Sequence, residues 1–366
     1  MDKLTPKPRL ISLDVFRGIT VAAMILVNNP GDWGHIYPPL EHSVWNGCTP
    51  TDLVFPFFLF IVGVSIVYAM ESKIADTANH TKMILSALRR GVILIVISLI
   101  KQITFHGFEH LRFPGVLQRI GVVYFICAVL YIKTSQKARD WLFGILLIGY
   151  YILMVFVPVP DTGHPSLDPA TNMGAWLDRL VFSTNHLWAE SHTWDPEGLL
   201  GTLPAIATGL FGIRVGTWLK RKDKEDTVKI KWMLIYGVVA VALGLIWGLF
   251  FPINKALWSS SYVLYTGGWA TIGLAFCYWL IDVKRWNRFA APFVAFGVNA
   301  ITAYVLSDFI PHYMNKIKIG GSGIYQLVFE PYFSPFNASL ASGIALVLLI
   351  WVLMWILYLR KIIIKV

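Results

Sequence analysis

Residues 341–358 read ASGIALVLLIWVLMWILY, a run without a single Asp, Glu, Lys or Arg. As a helix rising about 1.5 Å per residue, such a run crosses most of the roughly 30 Å of hydrocarbon in a bilayer. Val92–Ile100 and Trp141–Val157 have the same character. Working outward, ten windows of this kind occur, near 10–29, 52–70, 84–104, 115–132, 141–158, 198–219, 232–251, 261–281, 290–310 and 339–359. Only helices and closed barrels satisfy their backbone polar groups in lipid. The predicted fold is therefore all-α, a polytopic bundle of about ten transmembrane helices, with residues 1–366 forming one membrane domain.

Composition agrees. Of 366 residues, 56% are hydrophobic and 14% are charged, where soluble domains carry about 25% charge. That balance excludes disorder, collagen-like repeats and a secreted disulfide scaffold. The three cysteines, Cys48, Cys127 and Cys277, allow at most one bridge and read as small packing residues. The basic N-terminus precedes an apolar segment that contains Asp14 and Arg17 and lacks a small-residue cleavage site, so it reads as a retained first helix.

The net charge of +10 has a topological explanation. With the N-terminus cytoplasmic, 23 Lys and Arg fall on that side, Lys3, Lys7, Arg9 and Lys365 among them, against five on the opposite side. By the positive-inside rule both termini are expected in the cytoplasm. No stretch interleaves bases with aromatics as a nucleic-acid groove would, so nucleic acid is not an expected partner. The outer loops hold most of the extramembrane histidines and tryptophans; the extracytoplasmic loop at 159–197, with Trp176, Trp188 and Trp194, is long enough to form a lid.

Four constellations carry polar chemistry. Asp14 and Arg17 share a face of the first span at i, i+3, and read either as an ion pair that fixes packing or with Arg17 as a donor to an anionic ligand. In the following loop His42 has the chemistry of a general base, and Asp52 at the head of the second span reads as a helix cap or as a partner that orients a histidine. His106, Glu109 and His110 spell an inverted zinc-protease motif, but Gly107 and Pro114 deny it a helix, and no metal is expected. Asp195-Pro196-Glu197 offers carboxylates to an amine-bearing substrate or, equally, caps a helix start. Asn299 is an interior polar contact in the ninth span.

Several ordered segments carry a resemblance: Leu13-Asp14-Val15-Phe16-Arg17-Gly18, Val27-Asn28, His42-Ser43-Val44-Trp45-Asn46-Gly47, Thr51-Asp52-Leu53-Val54-Phe55-Pro56, Pro114 to Arg119, Asp195 to Thr202 and Ile253 to Ser259. Together they resemble the heparan-alpha-glucosaminide N-acetyltransferase family, including its bacterial members, over most of the chain. The resemblance implies a membrane enzyme that moves an acetyl group from cytoplasmic acetyl-CoA to the amino group of a glucosamine-type sugar on the far side. His42 matches the catalytic histidine, as base or acetyl acceptor, with Asn28 and Asp52 beside it. Asp14, Arg17, Gln118 and Arg119 are assigned to the acetyl-CoA path; Asp195, Glu197, Asn254, Lys255, Trp258 and Asn299 are assigned to the acceptor. The gap between Asn28 and His42 is longer than the family pattern, which leaves the acceptor sugar open. The expected partners are acetyl-CoA as co-substrate, an amino-sugar or glycan acceptor, the bilayer and a second copy in a homodimer; the expected location is the inner (cytoplasmic) membrane, multi-pass. An amino-sugar transporter and an O-acyltransferase acting on a glycan hydroxyl remain as alternatives.

The charge split makes a topological prediction. In a background without the native cysteines, Ser166→Cys is expected to react with a membrane-impermeant maleimide on intact cells, and Asp226→Cys only after permeabilisation. The reverse pattern overturns the orientation.

Overall fold

The computed structural model describes residues 10–288 and 290–364; Lys3, Lys7, Arg9 and Lys365, which contribute to the charge count, lie outside the described residues. The long helices are α1 (Ile11–Asn28), α2 (Val54–Ile74), α3 (His80–His106), α4 (Val116–Lys133) and α5 (Gln136–Phe156). After the short α6 (Met173–Phe182) come α7 (Thr202–Leu219), α8 (Asp226–Gly248), α9 (Ser260–Cys277), α10 (Ala290–Val298) and α11 (Ala300–Met314). The short α12 (Ile324–Val328) and the 25-residue α13 (Pro335–Leu359) complete the chain. The only strands among the described residues are two-residue β1 (Lys318–Ile319) and β2 (Ser322–Gly323), closed by Gly320 and Gly321 at φ 60° and 87°, the left-handed backbone a tight hairpin requires. The protein is an all-α, polytopic membrane protein.

Among the described residues, eight helical segments are individually long and apolar enough to span, and the bent pair α10–α11 makes nine if it is one span. This agrees with about ten spans, and the ten windows differ from it in two places. The window at 198–219 is α7, which carries Arg214, Pro204 and several Gly and Thr and is not among those eight. The window at 290–310 is broken by an 80° bend, at Asn299. By contrast, α5 shows Trp141, Ile145, Ile148, Ile152 and Phe156 outward at helical spacing, the stripe that hydrocarbon covers.

The described chain forms two compact units, one of residues 10–41, 226–234 and 272–364, the other of residues 42–225 and 235–271. In the first, α1 lies directly on α10: a Cβ on Gly297 would meet the Asp14 carbonyl oxygen at 2.0 Å. In the second, α2 and α7 meet just as closely, since a Cβ on Gly212 would lie 2.1 Å from the Phe60 carbonyl oxygen. Small residues at such crossings let helix backbones touch, which is how packing holds helices together where lipid offers no hydrophobic drive.

Gly212→Ala is accordingly expected to lower the thermal unfolding midpoint in detergent by several degrees, because the facing atom is backbone and cannot rotate away. Gly144→Ala on α5, where nothing lies within 4 Å of an added Cβ, is expected to leave it unchanged or raise it. Equal midpoints for the two variants would remove the α2–α7 crossing from the account.

Candidate active site

The second unit gathers its polar chemistry just before α2. Thr49-Pro50-Thr51-Asp52 folds as a short 3-10 turn, with Pro50 fixing its entry. Asp52 is fully buried and divides its two oxygens between two tasks. Oδ2 accepts from the backbone N–H groups of Ser43 and Thr49, each at 3.0 Å, and from the Thr49 hydroxyl at 3.2 Å, which caps the turn. Oδ1 lies 2.7 Å from His42 Nδ1. Both readings of Asp52, cap and orienter, thus hold at once. The carboxylate assigns the tautomer: Nδ1 carries the proton and donates, which leaves Nε2 as the acceptor nitrogen.

Lys255 enters from the loop between α8 and α9. Its Nζ stands 3.1 Å from Nδ1 and 3.2 Å from Nε2 of His42, and 3.9 Å from Asp52 Oδ1. Burial pulls the Lys255 ammonium below the usual amine value, with the charges of Glu197 and Asp52 opposing it. Cys48 is adjacent in sequence to this turn, but burial, reinforced by the Asp52 charge, pushes its thiol up to about 12, so it stays protonated and is no nucleophile at neutral pH.

The Lys255 loop is held from behind. Asn254 accepts from Leu257 N–H at 2.8 Å and donates to Asn46 Oδ1 at 3.2 Å. Trp258 adopts φ 53°, donates its indole N–H to Thr208 Oγ1 at 3.1 Å and packs edge-on against Phe55. The Arg119 guanidinium lies 5.1 Å from the Trp258 ring centre, a cation–π contact, while donating to the carbonyls of Pro196 and Gly198 at 3.1 and 2.7 Å. Asp195 and Glu197 both pair with Arg112, at 2.7 and 2.6 Å from Asp195 and at 2.6 Å from Glu197. Burial alone would raise Glu197; the Arg112 and Arg119 charges outweigh it and hold the carboxyl below its ordinary range. Burial likewise opposes the Arg112 charge, and the two carboxylates more than restore it.

Residues 9–245 match the family model for the catalytic region of heparan-alpha-glucosaminide N-acetyltransferase. The chain belongs to the heparan-alpha-glucosaminide N-acetyltransferase family. It is 32% identical to the human protein of that name over 360 residues, 84% of this chain, and 32% identical to the mouse protein over 359 residues, 83% of this chain. The match covers 54% of each relative, so the chain spans about half the length of the curated relatives it matches.

Within this family member, His42, Asp52 and Lys255 are brought together. Asn254 and Trp258 are buried with their polar groups engaged, and Arg119 is buried with its two terminal nitrogens engaged and its Nε without a hydrogen-bond partner among the described residues; all three back the loop that presents Lys255. Asp195 and Glu197 are already matched by Arg112, and the helix that follows starts at Thr202, so Asp195 caps only the Glu197 turn, accepting from its N–H at 2.9 Å. Gln118, in the first turn of α4, has a buried amide whose oxygen and nitrogen find no hydrogen-bond partner among the described residues. In the first unit Arg17 bonds Asp14 at 2.9 Å and the Gly297 carbonyl at 3.1 Å, and Asn28 is exposed at the end of α1. Asn299 is engaged by the C-terminal segment, donating to the Ile362 carbonyl and accepting from Ile364 N–H. His106 ends α3 before Gly107 at φ 77°, which separates it from His110 as the breaker residues require. Sequence reasoning missed Arg112, counted only as an outer charge, and Asp178, an ordinary acid on the amphipathic α6.

Arg112→Ala strands two buried carboxylates and is expected to cost about 3–5 kcal/mol of stability. The deficit should shrink from pH 8 to pH 5, because without the guanidinium Glu197 titrates upward and protonation then relieves its buried charge. In the wild type the lowered Glu197 contributes stability above the ordinary carboxylate range and loses it as pH falls through its depressed value. Thermal unfolding of both proteins across this range checks the sign.

Proposed function

We propose that the protein is an acetyl-CoA-dependent N-acetyltransferase that acetylates the amino group of a glucosamine-type sugar on the extracytoplasmic side of the cytoplasmic membrane. The observation that carries the reading is the Asp52–His42–Lys255 arrangement, in which a buried carboxylate bonds one imidazole nitrogen and the Lys255 amine stands within hydrogen-bond distance of the other. Family membership supports the acetyl-transfer class, and the names of the relatives support the sugar.

His42 Nε2 is the acting atom in either chemical route. As a base it takes the proton from the acceptor amine while the amine nitrogen bonds the thioester carbonyl carbon, then returns that proton to the sulfur as the C–S bond breaks. As a nucleophile it bonds the carbonyl carbon itself and the C–S bond breaks with CoA leaving as thiolate; the amine then displaces the imidazole, and the proton the amine loses ends on the CoA sulfur. Asp52 stabilises the imidazolium in the first route and keeps the ring aligned in both. Lys255 Nζ, which faces Nε2 in the resting site, turns its N–H groups to the oxyanion that forms on the carbonyl oxygen; one such donor is worth roughly 3 kcal/mol. The unpaired Gln118 amide has the chemistry to bond the amides of the pantetheine arm, and Arg17 has the charge to meet an anionic cofactor end. A homodimer and the two cytoplasmic termini belong to the same proposal.

His42→Ala is expected to lower kcat/KM for acetyl transfer by at least about 100-fold while leaving acetyl-CoA affinity, read by calorimetry on the detergent-purified chain, within about threefold of wild type. Lys255→Met is expected to reduce kcat more than it raises either KM. A His42→Ala protein that turns over within about threefold of wild type has lost under 1 kcal/mol of barrier lowering, too little for the atom assigned to the chemistry.

A further inference from the structure

Lys255 places an amine beside the atom that handles the acetyl group. Its Nζ lies 3.1 Å from Nδ1 and 3.2 Å from Nε2 of His42. Near-equal distances to both nitrogens put Nζ over a face of the imidazole, because a position in the ring plane at those distances would overlap Cε1. An acetyl group on Nε2 lies in the ring plane through conjugation, and its carbonyl carbon is open to a nucleophile from either face. Nζ is therefore held on a side from which an acceptor amine approaches, an orientation that turns a bimolecular encounter into an intramolecular one.

No carboxylate pins this amine as an ammonium. Among the described residues His42 supplies the only groups within hydrogen-bond distance of Nζ, and Asp52 Oδ1 stands at 3.9 Å. Burial pulls the ammonium below its usual value and the Arg119 charge adds to the effect, while Glu197 and Asp52 oppose it. More of Nζ thus carries a free lone pair than in a solvated lysine. With 19% of the side chain exposed, it is within reach of a reagent entering the site. The Cys48 thiol, pushed up to about 12 by burial, stays protonated and does not compete for the acetyl group.

We propose that Lys255 is itself an acetyl acceptor, so that acetyl-CoA modifies Nζ when no sugar fills the site and the enzyme silences itself. The inference rests on the acetyl-transfer reading of His42. The Nζ lone pair bonds the carbonyl carbon, and the bond from that carbon to the CoA sulfur, or to His42 Nε2 where the imidazole carries the acetyl group, breaks with its electron pair going to the departing atom. The proton lost from Nζ ends on the CoA sulfur. One amine and one thioester become one amide and one thiol. The amide is uncharged, so Lys255 no longer brings a cation to the oxyanion. An acceptor sugar competes for the same acetyl group and protects the enzyme that uses it.

The test uses the full chain in detergent, incubated with acetyl-CoA in the presence and absence of glucosamine. Peptide mass spectrometry reads acetyl occupancy at Lys255 and at the exposed Lys222 and Lys224, which report uncatalysed acetylation. Without sugar, Lys255 is expected to be acetylated about tenfold faster than Lys222 or Lys224, or more, and the remaining transfer rate to fall in step with its occupancy. Glucosamine present from the start is expected to lower that occupancy several-fold. His42→Ala is expected to slow modification of Lys255 by about tenfold or more and to leave Lys222 and Lys224 unchanged. In Lys255→Arg, whose guanidinium is not a nucleophile, pre-incubated and fresh samples are expected to give equal rates, whatever their size. Should that variant fail to fold, the occupancies in wild type and His42→Ala decide. Lys255 acetylated no faster than Lys222 and Lys224, or equally fast in His42→Ala, overturns the assignment. Wild-type protein that acetylates glucosamine but never Lys255 refutes the self-modification and leaves the enzyme reading intact. Wild-type protein that modifies Lys255 through His42 but acetylates no sugar upholds the self-modification and removes the sugar from that reading.

Discussion

The Arg112 pairing with Asp195 and Glu197 is the interaction on which the second unit's polar end depends. One guanidinium satisfies two carboxylates that burial would otherwise make costly. The 195–198 turn so anchored then offers its carbonyls to Arg119, and Arg119 in turn lies over Trp258. The loop carrying Lys255 is set by that sequence of contacts. A chain of buried charges thus ends at an amine a hydrogen-bond length from His42.

The same economy appears at Asp52. A carboxylate buried to this degree needs several donors to stay ionised, and three of them come from the Thr49 and Ser43 backbone and the Thr49 hydroxyl. Capping a turn and orienting an imidazole are therefore one structural act. Tyr262, donating to the Asp52 carbonyl at 2.5 Å, ties that turn to α9. Rigid support of this kind is what a transfer reaction needs, because a small displacement of the acting nitrogen costs much of the benefit of proximity.

The 159–197 segment is more than a connection. Val159, Met173 and the partly buried Trp176 join Tyr150, Met154, Phe251 and Leu257 in an apolar cluster, so the segment is packed onto helices of its own unit. It also places Asp178 of α6 against Gly198.

Membrane insertion and helical class were legible in the sequence, because lipid imposes one requirement on every span: uncharged length with internally bonded backbone. The run at 341–358 states that requirement without any tertiary information, and the Asp14–Arg17 spacing likewise declared a shared helix face. His42 and Asp52, ten positions apart around a proline turn, were legible as chemistry through their resemblance to a known pattern. Tertiary structure alone decided the rest. Lys255 lies 213 positions from His42, and no local periodicity encodes such a meeting. Arg112 and the pair Asp195 and Glu197 read separately as a surface base and an acidic helix start; only packing removes the water between them. Asp178 sits on a short amphipathic helix whose polar face would ordinarily be solvated, and its burial depends on Gly198, brought from elsewhere in the chain. Lipid acts on each segment alone, and its imprint is local; a buried charge is defined by what surrounds it, and that is settled only when the helices pack.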